Sequence, residues 1–188
     1  AWCAVGVGSC PAGPTPTPSP TPTATPTPSP TPTPTPGGNL LVNGSFEGSV
    51  SPWVSSGTGA FYIANGNYPQ AGTGYIYFGV NNSVSGQSYQ TVSIPTTAAG
   101  TLTFWLNVTS SETTTTTQYD RLFVEVRSTS GTLLATLATY SNLNRAAAGA
   151  YTQRALTVPA TYKGQTVRIQ FRGTTDSSLS TTFRVDNA

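Results

Sequence analysis

Six carboxylates, two cysteines and no histidine make up the reactive inventory of this 188-residue chain. Without imidazole there is neither a histidine-dependent triad nor a histidine metal site. Cys3 and Cys10 both fall within the opening AWCAVGVGSC, and the rest of the chain has none. Two cysteines so close together suggest a small oxidised loop; free thiols and a bond to a neighbouring chain are the competing readings. The six acids, Glu47, Glu112, Asp120, Glu125, Asp176 and Asp186, offer material for a glycosidase pair, yet none stands in a catalytic motif. There is no glycine-rich phosphate loop. The expectation is a chain that catalyses nothing.

A polar-aromatic set is the better candidate. Trp105 and Phe123, with Arg127, Arg168, Gln170 and Arg172, fall on the polar side of three alternating stretches, TLTFWLNV, YDRLFVEVRS and QTVRIQFRG. Aromatic planes stack sugar rings, while amide and guanidinium groups bond their hydroxyls. The same set would serve as a protein interface or as a second core layer under a loop. Tyr75 and Tyr77, alternating with Ile76 and Phe78, extend it. Asn43, Asn81 and Asn107 stand in N-x-Ser/Thr sequons, which matter only where a host supplies that machinery.

Strands must position these groups. The apolar sides of the three stretches are Leu102, Phe104, Leu106 and Val108; Leu122, Val124 and Val126; and Val167, Ile169 and Phe171. One apolar and one polar side per strand is the signature of antiparallel sheets. Ten strands are predicted at Asn39–Phe46, Ala60–Ala64, Gly74–Val80, Ser88–Ile94, Thr101–Val108, Tyr119–Ser128, Thr132–Thr139, Tyr151–Val158, Gln165–Thr174 and Thr181–Asp186. Gly, Pro, Asn and Ser clusters separate them, and only RAAAGA suggests a helical turn. The pattern predicts an all-β, antiparallel jelly-roll sandwich.

Three segments divide the chain. Residues 1–10 are short and apolar, with Trp2, Val5 and Val7. Residues 11–38 hold most of the 16 prolines, and residues 39–188 carry everything that forms a core. Alternating Thr-Pro fixes φ and favours an extended polyproline II stalk. At about 3.1 Å per residue the 26 residues from Pro11 to Pro36 span roughly 80 Å. Thr15, Thr17, Ser19, Thr21, Thr23, Thr25, Thr27, Ser29, Thr31, Thr33 and Thr35 distribute hydroxyls around it, the composition of an O-glycosylated stalk; a bare linker is the plainer alternative. Only 7% of residues are charged and the net charge is +2, which excludes nucleic acid and anionic membrane as expected partners. No apolar run reaches the roughly 20 residues of a membrane span. Methionine is absent, so the chain reads as a processed product or a fragment. Low charge with abundant hydroxyls points to an extracellular or cell-surface location.

NLLVNGSFEG with the nearby SPW, then SYQTVSIP and GQTVRIQFRGTTDSSLSTTFRVDN, resembles the jelly-roll carbohydrate-binding modules of secreted bacterial proteins, with a galactose-binding-like sandwich. The resemblance covers residues 39–188. It implies that Glu47 and Asp186 help hold a structural Ca²⁺, carbonyl oxygens completing the shell; two rim acids without an ion are the alternative. The resembling modules also continue past the last Asp-Asn, so the final strand here reads as unfinished. An unfinished strand, a glycan-ready stalk and an apolar N-terminal segment lead first to a non-catalytic subunit of a surface fibre or filament, its partners copies of itself. The alternative is a carbohydrate-binding module of a larger secreted hydrolase, its partner a polysaccharide.

Overall fold

The computed structural model describes residues 38–188. Cys3, Cys10 and the stalk hydroxyls from Thr15 to Thr35 lie outside the described residues. Ten strands form two five-stranded antiparallel sheets. The first sheet contains β1 (Val54–Gly57), β4 (Ser85–Ser93), β9 (Thr166–Thr174), β6 (Arg121–Arg127) and β7 (Leu133–Ser141), in the order β1-β4-β9-β6-β7. The second contains β2 (Ala60–Ile63), β3 (Tyr75–Gly79), β10 (Thr181–Asp186), β5 (Thr101–Ser110) and β8 (Thr152–Thr157), in the order β2-β3-β10-β5-β8. The expected antiparallel sandwich is what forms.

Alternation decides what lies between the sheets. Phe104 and Leu106 of β5 face Phe171 of β9 and Val124 of β6, all essentially buried. Phe104 meets Phe171 edge to face, with centroids 5.1 Å apart at 75°, the geometry that ring quadrupoles favour. Trp53 and Phe46 extend this contact, Trp53 lying 6.0 Å from Phe171 and 5.4 Å from Phe46. Burying each such side chain contributes roughly 1.5–3 kcal/mol, and the phenylalanines share that role with the leucines, isoleucines and valines of the same layer.

Two expectations fail here. Asn39–Phe46 is no strand. Asn43 and Phe46 have φ of +51° and +55°, which interrupts any ladder. Gln90 takes the place of a paired strand: its Oε1 accepts from Val42 N–H at 2.8 Å and its Nε2 donates to Val42 C=O at 2.8 Å. The missing strand is replaced by β1, four exposed residues of sequence VSSG, which carry no apolar alternation to signal them. RAAAGA is likewise not helical; it turns at Gly149, φ +81°.

The unfinished last strand is also corrected. β10 lies in the middle of its sheet, paired with β3 on one side and β5 on the other, from Thr181↔Ser110 to Asp186↔Trp105. Beyond it, the Ala188 N–H donates to Gly44 C=O at 3.0 Å. Both edges of β10 are occupied, so it offers no open ladder to an incoming segment.

Candidate functional site

The outward side of β4, β9 and β6 carries three cross-strand rows. Register places Gln87, Arg172 and Phe123 in one row, Tyr89, Gln170 and Glu125 in the next, and Thr91, Arg168 and Arg127 in the third. The polar alternation of the sequence thus brings Phe123, Arg127, Arg168, Gln170 and Arg172 together. It also adds Gln87, Tyr89 and Glu125, which sequence reasoning missed as site residues. The strand-like SYQTVSIP held the signal for Tyr89, which alternates with the core-facing residues of β4, whereas Gln87 lies just before that stretch.

Glu125 is the centre of the arrangement. It points away from the core yet is 0% exposed, because longer side chains close over it. Arg172 Nη2 donates to its Oε1 and Arg127 Nε to its Oε2, each at 2.7 Å. Gln170 Nε2 donates to Oε2 at 3.1 Å and to Gln87 Oε1 at 3.2 Å. Burial pushes the Glu125 carboxyl up, but the hydrogen bonds and charges of Arg172 and Arg127 outweigh it and hold it below its ordinary value. A carboxylate kept ionised cannot act as a general acid. The Arg172 guanidinium lies 4.1 Å over the Phe123 ring and that of Arg168 lies 4.2 Å over Tyr89, which fixes both half-buried rings through cation–π contact. The result is a preset surface of rings, amides and guanidinium groups.

Trp105 does not belong to it. β5 lies in the opposite sheet, so Trp105 faces outward on the far side of the sandwich, half-buried between Asp186 and Gln153 in register. Alternation distinguishes in from out, and the two outer sides of a sandwich read alike. Tyr75 and Tyr77 share the Trp105 side. Tyr75 is buried, its hydroxyl donating to Asn67 C=O at 2.9 Å, and Tyr77 packs on Phe61 with centroids 5.3 Å apart.

Glu47 and Asp186 converge on one loop. Thr73 and Gly74 donate their N–H groups to Glu47 Oε1 at 2.9 and 3.0 Å. Gln70 and Ala71 donate theirs to Asp186 Oδ2 at 2.9 and 3.4 Å. These bonds hold the exposed Glu47 below its ordinary value, Gly74 contributing most. Asp186 is pushed up, by burial first and also by the charge of Glu47. Among the described residues no cation pairs with either acid, and no cluster of three or more Asp, Glu, His or Cys forms. Two mutually repelling carboxylates bound to one loop suit a divalent cation only if carbonyl oxygens make up the shell. Of the sequons, Asn107 is buried and Asn43 spends its amide on Ser49 and Ser51, which leaves Asn81 exposed.

No protein-family model and no curated protein matches the chain. Solved structures do. TmCBM61, solved in complex with β-1,4-galactotriose, superposes on 80% of this chain and 96% of its own at a TM-score of 0.53 and 16% identity. The K1 cleaved adhesin domain of Lys-gingipain from Porphyromonas gingivalis W83 superposes on 77% of this chain and 96% of its own, at a TM-score of 0.51 and 16% identity. At such identity the likeness establishes the fold alone: an antiparallel two-sheet β-sandwich.

Proposed function

We propose that this sandwich is a non-catalytic module that binds a polysaccharide across β4, β9 and β6. The observation that carries the reading is the Glu125 network, which holds Gln170, Arg172 and, through Arg172, Phe123 in place before any ligand arrives, while Arg168 fixes Tyr89 beside it. A pyranose offers an apolar C–H face to a ring and a rim of hydroxyls to amide and guanidinium groups. Each such hydrogen bond yields little net free energy, because water is displaced. Side chains that are already ordered lose little entropy on binding. That favours a weak but specific platform over a catalytic one, and the only carboxylate there is held ionised by two arginines. TmCBM61, bound to a galactotriose in its own structure, supports the reading by its similar fold. In this reading the chain works outside the cell, and the Pro/Thr segment is a glycosylated spacer. The fibre-subunit reading finds no open ladder at β10, which is paired on both sides.

Affinity electrophoresis against a panel of plant and bacterial polysaccharides tests this. Phe123→Ala and Tyr89→Ala should weaken binding at least roughly tenfold, as expected for a stacking residue at the centre of an interface, with Trp105→Ala unchanged. The reverse pattern would move the site to the other sheet, and retention of no polysaccharide would sink the proposal. We also propose that Ca²⁺, held by Glu47, Asp186 and loop carbonyls, relieves the repulsion between the two acids. A chelator should then lower the melting temperature of native protein, and an unchanged melt with no bound calcium would exclude it.

A further inference from the structure

Four arginines, Arg121, Arg127, Arg168 and Arg172, share the outward side of β6 and β9 with one carboxylate, Glu125. That is more than half of the chain's seven arginines. Glu125 is taken up by Arg172 and Arg127. Arg168 stands directly opposite Arg127 in the β6–β9 register, an arrangement of like charges that costs stability unless something offsets it. Both groups also converge on one turn. Arg127 Nη1 donates to Gly131 C=O at 2.8 Å, and Arg168 Nη1 lies 3.2 Å from where a β-carbon on Gly131 would sit. Arg168 stacks on Tyr89 but has no carboxylate partner among the described residues, and its Nε–H has no acceptor.

We infer that the polysaccharide bound at this face is anionic, with a carboxylate or sulfate group seated on Arg168 beside Arg127. The inference rests on the reading of this face as the polysaccharide site and names the ligand's charge. A guanidinium presents a planar fork of donors that matches a carboxylate or sulfate oxygen pair. Among the described residues Arg168 has that fork uncommitted, and Tyr89 beneath it sets its plane next to the surface where a sugar ring would stack. An anion there removes the Arg127–Arg168 repulsion, a gain that a neutral sugar cannot supply. A half-buried guanidinium is only partly screened, so the gain shrinks with salt without vanishing.

Titration calorimetry on the full chain compares polygalacturonate, its fully methyl-esterified form, a sulfated galactan and a neutral galactan at low and high sodium chloride. At least one anionic polymer should bind at least roughly tenfold tighter than its neutral counterpart at low salt, and the two anionic arms tell carboxylate from sulfate. Arg168→Gln should abolish that preference without lowering the melting temperature, since Arg168 makes no ion pair among the described residues and stands opposite the like charge of Arg127. Lys163→Gln, in the turn between β8 and β9, should keep it. Equal affinity for charged and neutral polymers overturns the anionic ligand and leaves the polysaccharide reading standing. Failure of all four polymers, together with failure on the wider panel, overturns the polysaccharide reading itself. Equal losses in Arg168→Gln and Lys163→Gln would show diffuse attraction rather than a seat on Arg168, and would also overturn the inference.

Discussion

Glu125 shows how a residue on the outside of a sheet can become as buried as any in the core. Arg127 and Arg172 each carry a three-methylene stem that lets the side chain lie along the sheet while its guanidinium bonds the carboxylate. Taking the carboxylate out of water costs several kcal/mol, which paired hydrogen-bonded guanidinium groups offset. Glu125→Gln keeps the shape and removes the charge, leaving two guanidinium groups against a neutral amide. We expect a loss of about 3 kcal/mol in urea unfolding at neutral pH. The sign of the pH dependence follows from the depressed folded pKa. Stability from Glu125 is complete above the unfolded carboxylate pKa of about 4.3 and is lost as pH falls through the lower folded value. Wild type should therefore lose stability in that acid window more steeply than Glu125→Gln. Asp186 runs the other way: its folded pKa is raised, so its penalty is present at neutral pH and fades on acidification. Alternation put Glu125 on the polar side correctly. Its burial was not legible there, because burial depended on which neighbours β9 supplied.

Strands were legible where one side had to be apolar. TLTFWLNV, YDRLFVEVRS and QTVRIQFRG became β5, β6 and β9 with the expected residues inside. The edge strand β1 was not, since its four residues are all exposed and feel no core. Nor could a period of two assign strands to sheets, which is why Trp105 was grouped with Phe123. The segment before β1 misled for a further reason: LLVNGSF has strand-like residues, but Val42 pairs with the Gln90 side chain rather than with a neighbouring strand. Gln90→Leu removes that partner and leaves the Val42 N–H and C=O without a protein acceptor or donor. It should cost about 1–3 kcal/mol, read as a shift in the denaturation midpoint. An unchanged midpoint would mean that water replaces the amide.

At the scale of the whole chain, the boundary of the folded unit makes a further prediction. Leu41 is buried, and Leu40 packs on the core behind it. A chain starting at Gly38 should melt like the full protein. One starting at Asn43 loses Leu41 and the Val42–Gln90 pair, and should lose about 2–5 kcal/mol. For residues 11–38, intact mass spectrometry of native protein should exceed the bare 19.5 kDa polypeptide by a ladder of hexose-sized steps; the bare mass would exclude glycosylation of the stalk. The position of β10 bears on how quickly any of this forms. Among the described residues, only β2–β3 and β6–β7 pair strands adjacent in sequence. The middle of the second sheet joins Ile76 to Val185 and Ser110 to Thr181. Such closures incur their loop entropy before any contact rewards them. The sheet that carries Trp105 must therefore remain open until the segment from Thr181 to Asp186 is inserted between two strands that cannot otherwise meet. Refolding should be rate-limited by that insertion, on the millisecond-to-second scale of non-local β-proteins, with the β6–β7 hairpin as the earliest ordered piece.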